Sequence, residues 1–145
     1  MSDELSLKLQ YTFRQPRYLK VALTHRSKGG YNNERLEFLG DAVVNFIIAE
    51  ILYEQFPKAT EGDLSRWRAT LVNRETLAVL AKEFELGQYL ILGPGETRSG
   101  GSERPSILSC AMEAVIGAVY LDGGFEAVRE KILSCLRGWQ WRCLL

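Results

Sequence analysis

The sequence contains few of the residues that build closed metal sites or disulfide frameworks. Its 145 residues include one histidine, His25, and three cysteines, Cys110, Cys135 and Cys143, without metal-type spacing. An odd number of such cysteines argues against a disulfide framework and favours a reducing cytoplasm. The single histidine also excludes the di-iron carboxylate bundles, which need Glu-x-x-His pairs.

Net charge and long apolar runs are also missing. The 18 basic and 18 acidic residues cancel, so no overall field attracts nucleic acid or an anionic membrane. The polar, acidic start of the chain, MSDELSLKLQ, does not resemble a signal peptide. The longest apolar run, around residues 43–53, contains Asn45 and Glu50 and is too short to span a bilayer. We therefore expect a cytoplasmic protein that has no membrane partner.

Apolar residues recur at helical spacing along almost the whole chain, and no strand pattern, repeat or linker interrupts them. The length suits one domain, residues 1–145, of the all-α class, with helices packed around one core. The sequence predicts a short helix near Leu5 and Leu9, a helix from Pro16, and a long helix from Glu34 to about Phe56 with Asn33 as its N-cap. Two further helices follow, one capped by Thr60 and one that begins after Asn73 and ends at Gly87. An exposed loop is predicted at residues 93–106, and two final helices are separated by Gly123 and Gly124.

Three carboxylates are concentrated in the stretch NERLEFLGDAV, residues 33–43. At roughly 100° per residue, Glu34, Glu37 and Asp41 fall within a helical arc of roughly 60°. Like charges one turn apart destabilise a helix by a few tenths of a kcal/mol (about 0.2–0.5) per pair. The row is therefore either a solvated acidic stripe or a set of ligands for a cation.

Glu113 is a carboxylate within the otherwise apolar stretch ILSCAMEAVIGAVYLD. A glutamate in such a helix is rarely left unpaired in a core, so it needs an arginine, a lysine or a metal ion. An apolar helix with one carboxylate, beside a helix with a carboxylate row, indicates a divalent metal site. Oxygen ligands without histidine favour Mg²⁺ or Mn²⁺.

Taken together, these motifs resemble the ribonuclease III family of double-stranded-RNA endonucleases. The resemblance rests on NERLEFLGDAV and, in family order, on ALTHRS, EGDLSRWRATLV, LAKEFELG, LGPGE and EAVIGAVYLD. It covers nearly the whole chain. It implies a single helical endonuclease domain of the ribonuclease III type that forms a symmetric homodimer.

The resemblance also implies a reaction and a set of site residues. The domain would cut double-stranded RNA, ribosomal precursors included, to products with 5′-phosphate and 3′-hydroxyl ends. Glu37, Asp41 and Glu113 would hold the catalytic Mg²⁺, for which Mn²⁺ can substitute, and Asp41 and Glu113 would orient the attacking water. Glu34 and Glu61 would serve a second metal or the partner's site. We do not expect these 145 residues to include the double-stranded-RNA-binding domain of the family's bacterial members.

Five further residues have two interpretations each. Phe38 is either a core residue or, as the resemblance suggests, an anchor that crosses the dimer interface. His25 and Arg26 either cap and pair within the structure or contact phosphate. Arg98 and Arg104 are candidate RNA contacts, but a mobile exposed loop explains them equally well.

Cys110 departs from the family pattern, which has an aspartate at this position. A thiol is neutral near pH 7 and soft, which makes it a poor ligand for Mg²⁺. Cys110 is therefore a doubtful metal ligand at a position where the family pattern has an aspartate ligand. We predict that metal-dependent cleavage is impaired relative to a Cys110→Asp variant. It is also the one feature that favours a rival function, an inactive RNA-binding or assembly scaffold. A third alternative, a phosphohydrolase acting on nucleotides, lacks the His-Asp metal pair that it would need.

Overall fold

Helices make up most of the chain in the computed structural model, which describes residues 2–145 and leaves residue 1 of the predicted domain outside the described residues. Within that range the only β-type pairing is an isolated bridge between Thr24 and Ile91. This confirms the all-α class. The α-helices are α1 (Ser2–Leu9), α2 (Pro16–Leu23), α3 (Glu34–Gln55), α4 (Glu61–Leu71), α5 (Arg74–Glu83), α6 (Pro94–Arg98) and α7 (Pro105–Trp139).

The core forms where α3 and α7 pack against each other. Leu5 and Leu9 of α1 join this core, as their spacing predicted. Helix α7 is long and apolar enough to cross a membrane by length and composition alone, but 61% of its most apolar window is buried in this fold. Its hydrophobicity therefore serves the protein core. The buried residues at the centre are Ile47, Ile51, Leu52, Ala111, Ala114, Val115 and Ala118.

Two glycines allow the backbones of α3 and α7 to touch. A Cβ atom on Gly40 would lie 1.7 Å from the carbonyl oxygen of Glu113, and one on Gly117 would lie 2.6 Å from that of Leu36. Both distances are below van der Waals contact, so only glycine fits at either position. The contact places the turn of α3 that carries Glu37 and Asp41 directly beside Glu113.

Asn33, Thr60 and Asn73 all occupy N-cap positions, and two of the three side chains make a capping hydrogen bond. Thr60 accepts a hydrogen bond from the Asp63 amide, and Asn73 accepts one from the Thr76 amide in a capping box. At the start of α3, Asn33 occupies the predicted N-cap position, but its side chain makes no capping hydrogen bond. The Asn33 side chain donates instead to the carbonyl oxygen of Ala22, and Asn32 accepts the hydrogen bond from the Glu34 amide.

Two other boundaries differ from prediction. Helix α5 ends at Glu83, before the predicted Gly87, because Glu85 adopts a left-handed conformation (φ 55°) ahead of a 3₁₀ turn at Leu86–Tyr89. The predicted loop at residues 93–106 contains α6, a 3₁₀ turn at Gly101–Glu103 and the first residues of α7. Prolines at the first turns of α6 and α7 start those helices.

The last two predicted helices form one continuous helix, α7, which is kinked at Gly124 (φ 87°). Just before the kink, Asp122 binds the segment that joins α1 to α2. Its carboxylate accepts hydrogen bonds from the Tyr11 hydroxyl (2.7 Å) and from the amides of Arg14 (2.9 Å) and Gln15 (2.8 Å). Beyond the kink, Lys131 donates to the carbonyl oxygen of Gln10, so polar contacts on both sides of Gly124 attach this segment to α7.

Candidate active site

Four of the predicted site residues meet where α3 and α7 cross. Glu37 and Asp41 come from successive turns of α3, and Cys110 and Glu113 from successive turns of α7. Glu37 raises the pKa of the Cys110 thiol, and Asp41 raises the pKa of the Glu113 carboxyl group, so each pair is close across the two helices. Sequence spacing alone could not establish these pairs, because each one joins two helices.

Glu113 has the most perturbed carboxyl group of the site. Burial, followed by a hydrogen bond with Asp41 and the negative charges of Asp41 and Glu37, raises its pKa to about 8. Among residues 2–145, no ion pair includes Glu37, Asp41 or Glu113. The sequence predicted that Glu113 needs a positively charged partner. In the described chain, no arginine or lysine forms an ion pair with it.

Cys110 is also held in its neutral form. Burial, a hydrogen bond donated to Glu37 and the charges of Glu37 and Glu113 raise the pKa of its thiol to about 12. The thiol is not part of a disulfide. In this state it contributes neither a negative charge nor a hard oxygen to the site.

The donor set fits a hard divalent cation, although the side chains are not arranged around one. Within the described residues, no group of three or more His, Cys, Asp or Glu side chains is positioned to hold a metal ion as it stands. Glu37, Asp41 and Glu113 nevertheless supply oxygen donors of the kind that Mg²⁺ prefers. Burial, together with the neighbouring Asp41 and Glu37, raises the pKa of Glu113, and a cation would relieve the repulsion among these carboxylates.

The other two acidic residues are exposed at helix starts. Glu34 is the first residue of α3, and Glu61, the first residue of α4, accepts a hydrogen bond from the Ser65 hydroxyl (2.8 Å). In the part of the chain described, no hydrogen bond or ion pair connects either residue to Glu37, Asp41 or Glu113. Their role toward a second metal or a partner remains a prediction.

Phe38 is not a core residue, because 81% of it is exposed. Phe46 (61% exposed) and Tyr53 (73% exposed) lie on the same side of α3, within roughly 80° of Phe38 about the helix axis. The sequence interpretation missed these two aromatics. Their spacing of eight and seven residues was the signal that could have revealed them. Together the three form an apolar stripe on α3.

The candidate RNA contacts have different surroundings. Nδ1 of His25 accepts a hydrogen bond from the Ser27 amide and lies 2.8 Å from the Ser27 hydroxyl, so His25 caps the turn that follows it through one side of its ring. Arg104 donates to the Glu96 carboxylate at 2.6 Å and to the Ser99 carbonyl oxygen, and so holds its own segment together. Arg26 and Arg98 are exposed.

Asp41 is exposed, whereas Glu37, Cys110 and Glu113 are half-buried. An apolar cavity of about 320 Å³ is lined by residues such as Val115, Met112 and Ile132, and another of about 580 Å³ by residues such as Gln88 and Ser102. Neither is lined by Glu37, Asp41, Cys110 or Glu113.

Comparison with known proteins identifies the family. The family model described as Ribonuclease-III-like matches residues 15–137. Ribonuclease 3 from Nitrosococcus oceani is 60% identical over 135 residues, and that from Pseudomonas aeruginosa strain LESB58 is 59% identical over 134 residues; the matches cover 93% and 92% of this chain. The chain belongs to the ribonuclease III-like family. It spans 58% of the length of each of these relatives.

Solved structures support the same assignment. Two structures of the nuclease domain of ribonuclease III from Campylobacter jejuni match with TM-scores of 0.90 and 0.87 at 46% and 47% identity. The first covers 92% of this chain and 94% of that one, and the second covers 91% and 90%. The first is described as showing structural flexibility in a region involved in dimer formation. The predicted family and fold are therefore confirmed.

The raised pKa of Glu113 predicts how stability depends on pH when no metal is present. Between the ordinary glutamate pKa near 4.5 and about 8, the unfolded chain loses this proton while the folded protein keeps it. The contribution of Glu113 to the free energy of unfolding is therefore fully present below pH 4.5 and is lost as the pH rises through about 8. Glu113→Gln should stabilise the metal-free protein at pH 8 by about 1 kcal/mol, a value reduced for solvent screening of this half-buried group.

Urea unfolding in the presence of a chelator, at pH 5 and pH 8, measures this difference. Glu130→Gln is the matched control, because Glu130 is an exposed glutamate of the same helix. If the two variants change stability equally at pH 8, the strain assigned to Glu113 is absent.

Proposed function

We propose that this chain is the nuclease domain of a metal-dependent endonuclease that cleaves double-stranded RNA. Its products would carry 5′-phosphate and 3′-hydroxyl ends, and its substrates would be ribosomal precursors and other structured RNAs in the cytoplasm. The observation that supports this most directly is the half-buried carboxyl group of Glu113, which the backbone contact of α3 and α7 at Gly40 places beside Asp41 and Glu37. A solvated acidic stripe would not have such a group.

Glu37, Asp41 and Glu113 would hold Mg²⁺, with Mn²⁺ as a substitute. The bound cation would polarise the phosphoryl oxygens, lower the pKa of water and stabilise the leaving oxygen. Asp41 and Glu113 would accept hydrogen bonds from the attacking water and so orient it toward the phosphorus atom. Glu34 and Glu61 remain candidates for a second cation or for the partner's site.

The expected substrate is consistent with the electrostatics of the chain. A net charge of zero provides little non-specific attraction for a polyanion, so the local site and its cations must contribute to binding. Among the four candidates for direct phosphate contacts, Arg26 and Arg98 are exposed. Arg104 already bonds to Glu96, and the His25 ring to Ser27.

Incubation with a long RNA duplex, with and without Mg²⁺, tests the proposed function. We expect Mg²⁺-dependent fragments with 3′ overhangs and 5′-phosphate ends, and a Glu113→Gln variant that does not produce them. The rival function is an inactive RNA-binding or assembly scaffold, which the neutral Cys110 thiol favours. Duplex binding without any fragments, from this chain and from Cys110→Asp alike, would establish the scaffold instead.

We also propose that the domain acts as a homodimer and that Phe38 anchors the interface. A large apolar side chain that is 81% exposed has its most favourable use in a pocket of a partner. Phe46 and Tyr53 would extend the contact along the same side of α3.

Phe38→Ala should therefore weaken self-association by about 2 kcal/mol, which is roughly a 30-fold higher dissociation constant. Sedimentation equilibrium over a range of protein concentrations measures it. Tyr31→Ala is the matched control, since Tyr31 is an aromatic residue that is 91% exposed but lies outside α3. Equal dissociation constants for the two variants would remove Phe38 from the interface.

A further inference from the structure

The apolar cavity of about 320 Å³ reaches from the surface into the core. Its outer part, here called the mouth, is lined by exposed residues such as Gln10 and Ser134. Its inner part is lined by Val115 and Val128, each of which is 1% exposed. Helices α1, α3, α5 and α7 all contribute to its walls. The cavity is therefore a pocket with an opening to solvent.

The inner wall of this pocket favours an apolar occupant over water. Leu80, Met112 and Ile132 are buried there beside the two valines. Among the described side chains, every buried nitrogen or oxygen atom already has a hydrogen-bond partner, so none is left to hold a water molecule inside. An apolar cavity of roughly 150 Å³ stays dry and binds benzene, so a pocket about twice as large accommodates an apolar body of about ten carbons. An occupant would also remove the destabilisation that an empty cavity causes.

A lysine at the mouth can bind an acidic head group. Lys131 lines the pocket and donates to the carbonyl oxygen of Gln10, which is a neutral group. In the part of the chain that the structure describes, no ion pair includes Lys131. The ammonium group of a lysine has three donors. Lys131 can therefore keep its bond to Gln10 and also donate to an anion.

The other charged side chains of the mouth already have polar partners. Lys8 pairs with the Glu85 carboxylate at 2.6 Å. The Glu83 carboxylate accepts a hydrogen bond from Nε1 of Trp139 at 3.1 Å. Lys131 is thus the charged group of this pocket that is best placed to select a ligand.

We propose that this pocket binds a small amphiphilic carboxylic acid, with its apolar body of about ten carbons in the core and its carboxylate on Lys131 at the mouth. Small-molecule sites typically measure roughly 300–1,000 Å³ and combine an apolar lining with a few polar groups, as this pocket does. The proposal goes beyond the nuclease function and does not depend on it, because Glu37, Asp41 and Glu113 do not line the pocket.

Isothermal titration calorimetry of the full chain with hexanoate, octanoate, decanoate, dodecanoate and tetradecanoate tests the apolar part of the site. Each methylene group added up to decanoate should tighten binding about three- to fourfold, a factor set by the free energy of burying one methylene group. The gain should stop beyond decanoate, because a longer chain exceeds the volume of the pocket. An affinity that keeps rising through tetradecanoate would indicate adsorption to the surface and overturn the proposal.

Substitution of Lys131 tests the head-group contact. Lys131→Met keeps the apolar stem and removes the charge, so it should raise the dissociation constant of decanoate about tenfold and leave that of 1-decanol unchanged. Unchanged 1-decanol binding also shows that the pocket is intact in the variant. Lys20→Met is the matched control, since Lys20 is an exposed lysine of α2 that does not line the pocket. Equal decanoate affinities for the two variants would overturn the assignment of an acidic ligand.

Ser134→Phe tests whether the ligand enters through the mouth. Ser134 is exposed, so the fold should tolerate the ring, and urea unfolding checks that it does. Binding of decanoate and of 1-decanol should be lost in this variant. Unchanged binding would place the ligands elsewhere on the protein and overturn the proposal. Failure of the unmodified chain to bind either compound would also overturn it, and would leave the proposed nuclease function unaffected.

Discussion

Cys110→Asp should increase the single-turnover rate of Mg²⁺-dependent RNA cleavage on the order of 100-fold. The neutral thiol, whose pKa lies at about 12, contributes no charge and no hard oxygen to the proposed centre. An aspartate at the same position would add both, beside Glu37 and Glu113. Rates with a saturating RNA duplex measure the effect at a fixed Mg²⁺ concentration.

Cys110→Asn is the matched control, because asparagine has the shape of aspartate without its charge. We expect the asparagine variant to cleave no faster than the unmodified chain. Equal rates for the unmodified chain and Cys110→Asp would mean that Cys110 does not limit catalysis. The aspartate variant should also be less stable without metal, since it places another carboxylate in an already crowded site.

Gly40→Ala should lower the free energy of unfolding by about 3 kcal/mol or more. The added methyl group would lie 1.7 Å from the Glu113 carbonyl oxygen, a backbone atom that cannot rotate away as a side chain can. The clash could be relieved only if α3 and α7 moved apart, and this movement would also separate Glu113 from Asp41. Activity should therefore be lost together with stability.

Urea unfolding compares this variant with Gly138→Ala, a matched substitution in α7. A Cβ atom at Gly138 meets nothing within 4 Å, so alanine there should stabilise the helix by up to about 1 kcal/mol. If both variants have the same stability, the two backbones do not constrain each other at Gly40.

Local features of the sequence predicted much of the fold. The start of α3 and the capping residues Thr60 and Asn73 could be identified because side chains at helix ends act on the adjacent backbone. Asn33 is the N-cap residue of α3 but makes no capping hydrogen bond, because its side chain donates to Ala22, a contact that depends on how α2 meets α3. The short helix α6 was missed because its glycines and proline resemble those of a loop, although Pro94 is typical of a first helical turn.

The candidate site could be predicted only in part for the same reason. Helical periodicity placed Glu37 and Asp41 on one face, and the apolar surroundings of Glu113 indicated that it required a partner. The pairing of Glu113 with Asp41, and of Cys110 with Glu37, depends on the crossing of two helices that are distant in the sequence. The exposed positions of Phe46 and Tyr53 likewise depend on which side of α3 the rest of the chain covers.

The hydrogen bonds of Asp122 determine where this domain can be shortened. The family match begins at residue 15, which would suggest a fragment starting there. Such a fragment would lack the Tyr11 hydroxyl and the Arg14 amide, two of the three donors to Asp122, and would uncover the part of the core that Leu5 and Leu9 fill. The minimal folding unit therefore extends N-terminally beyond the segment that defines the family.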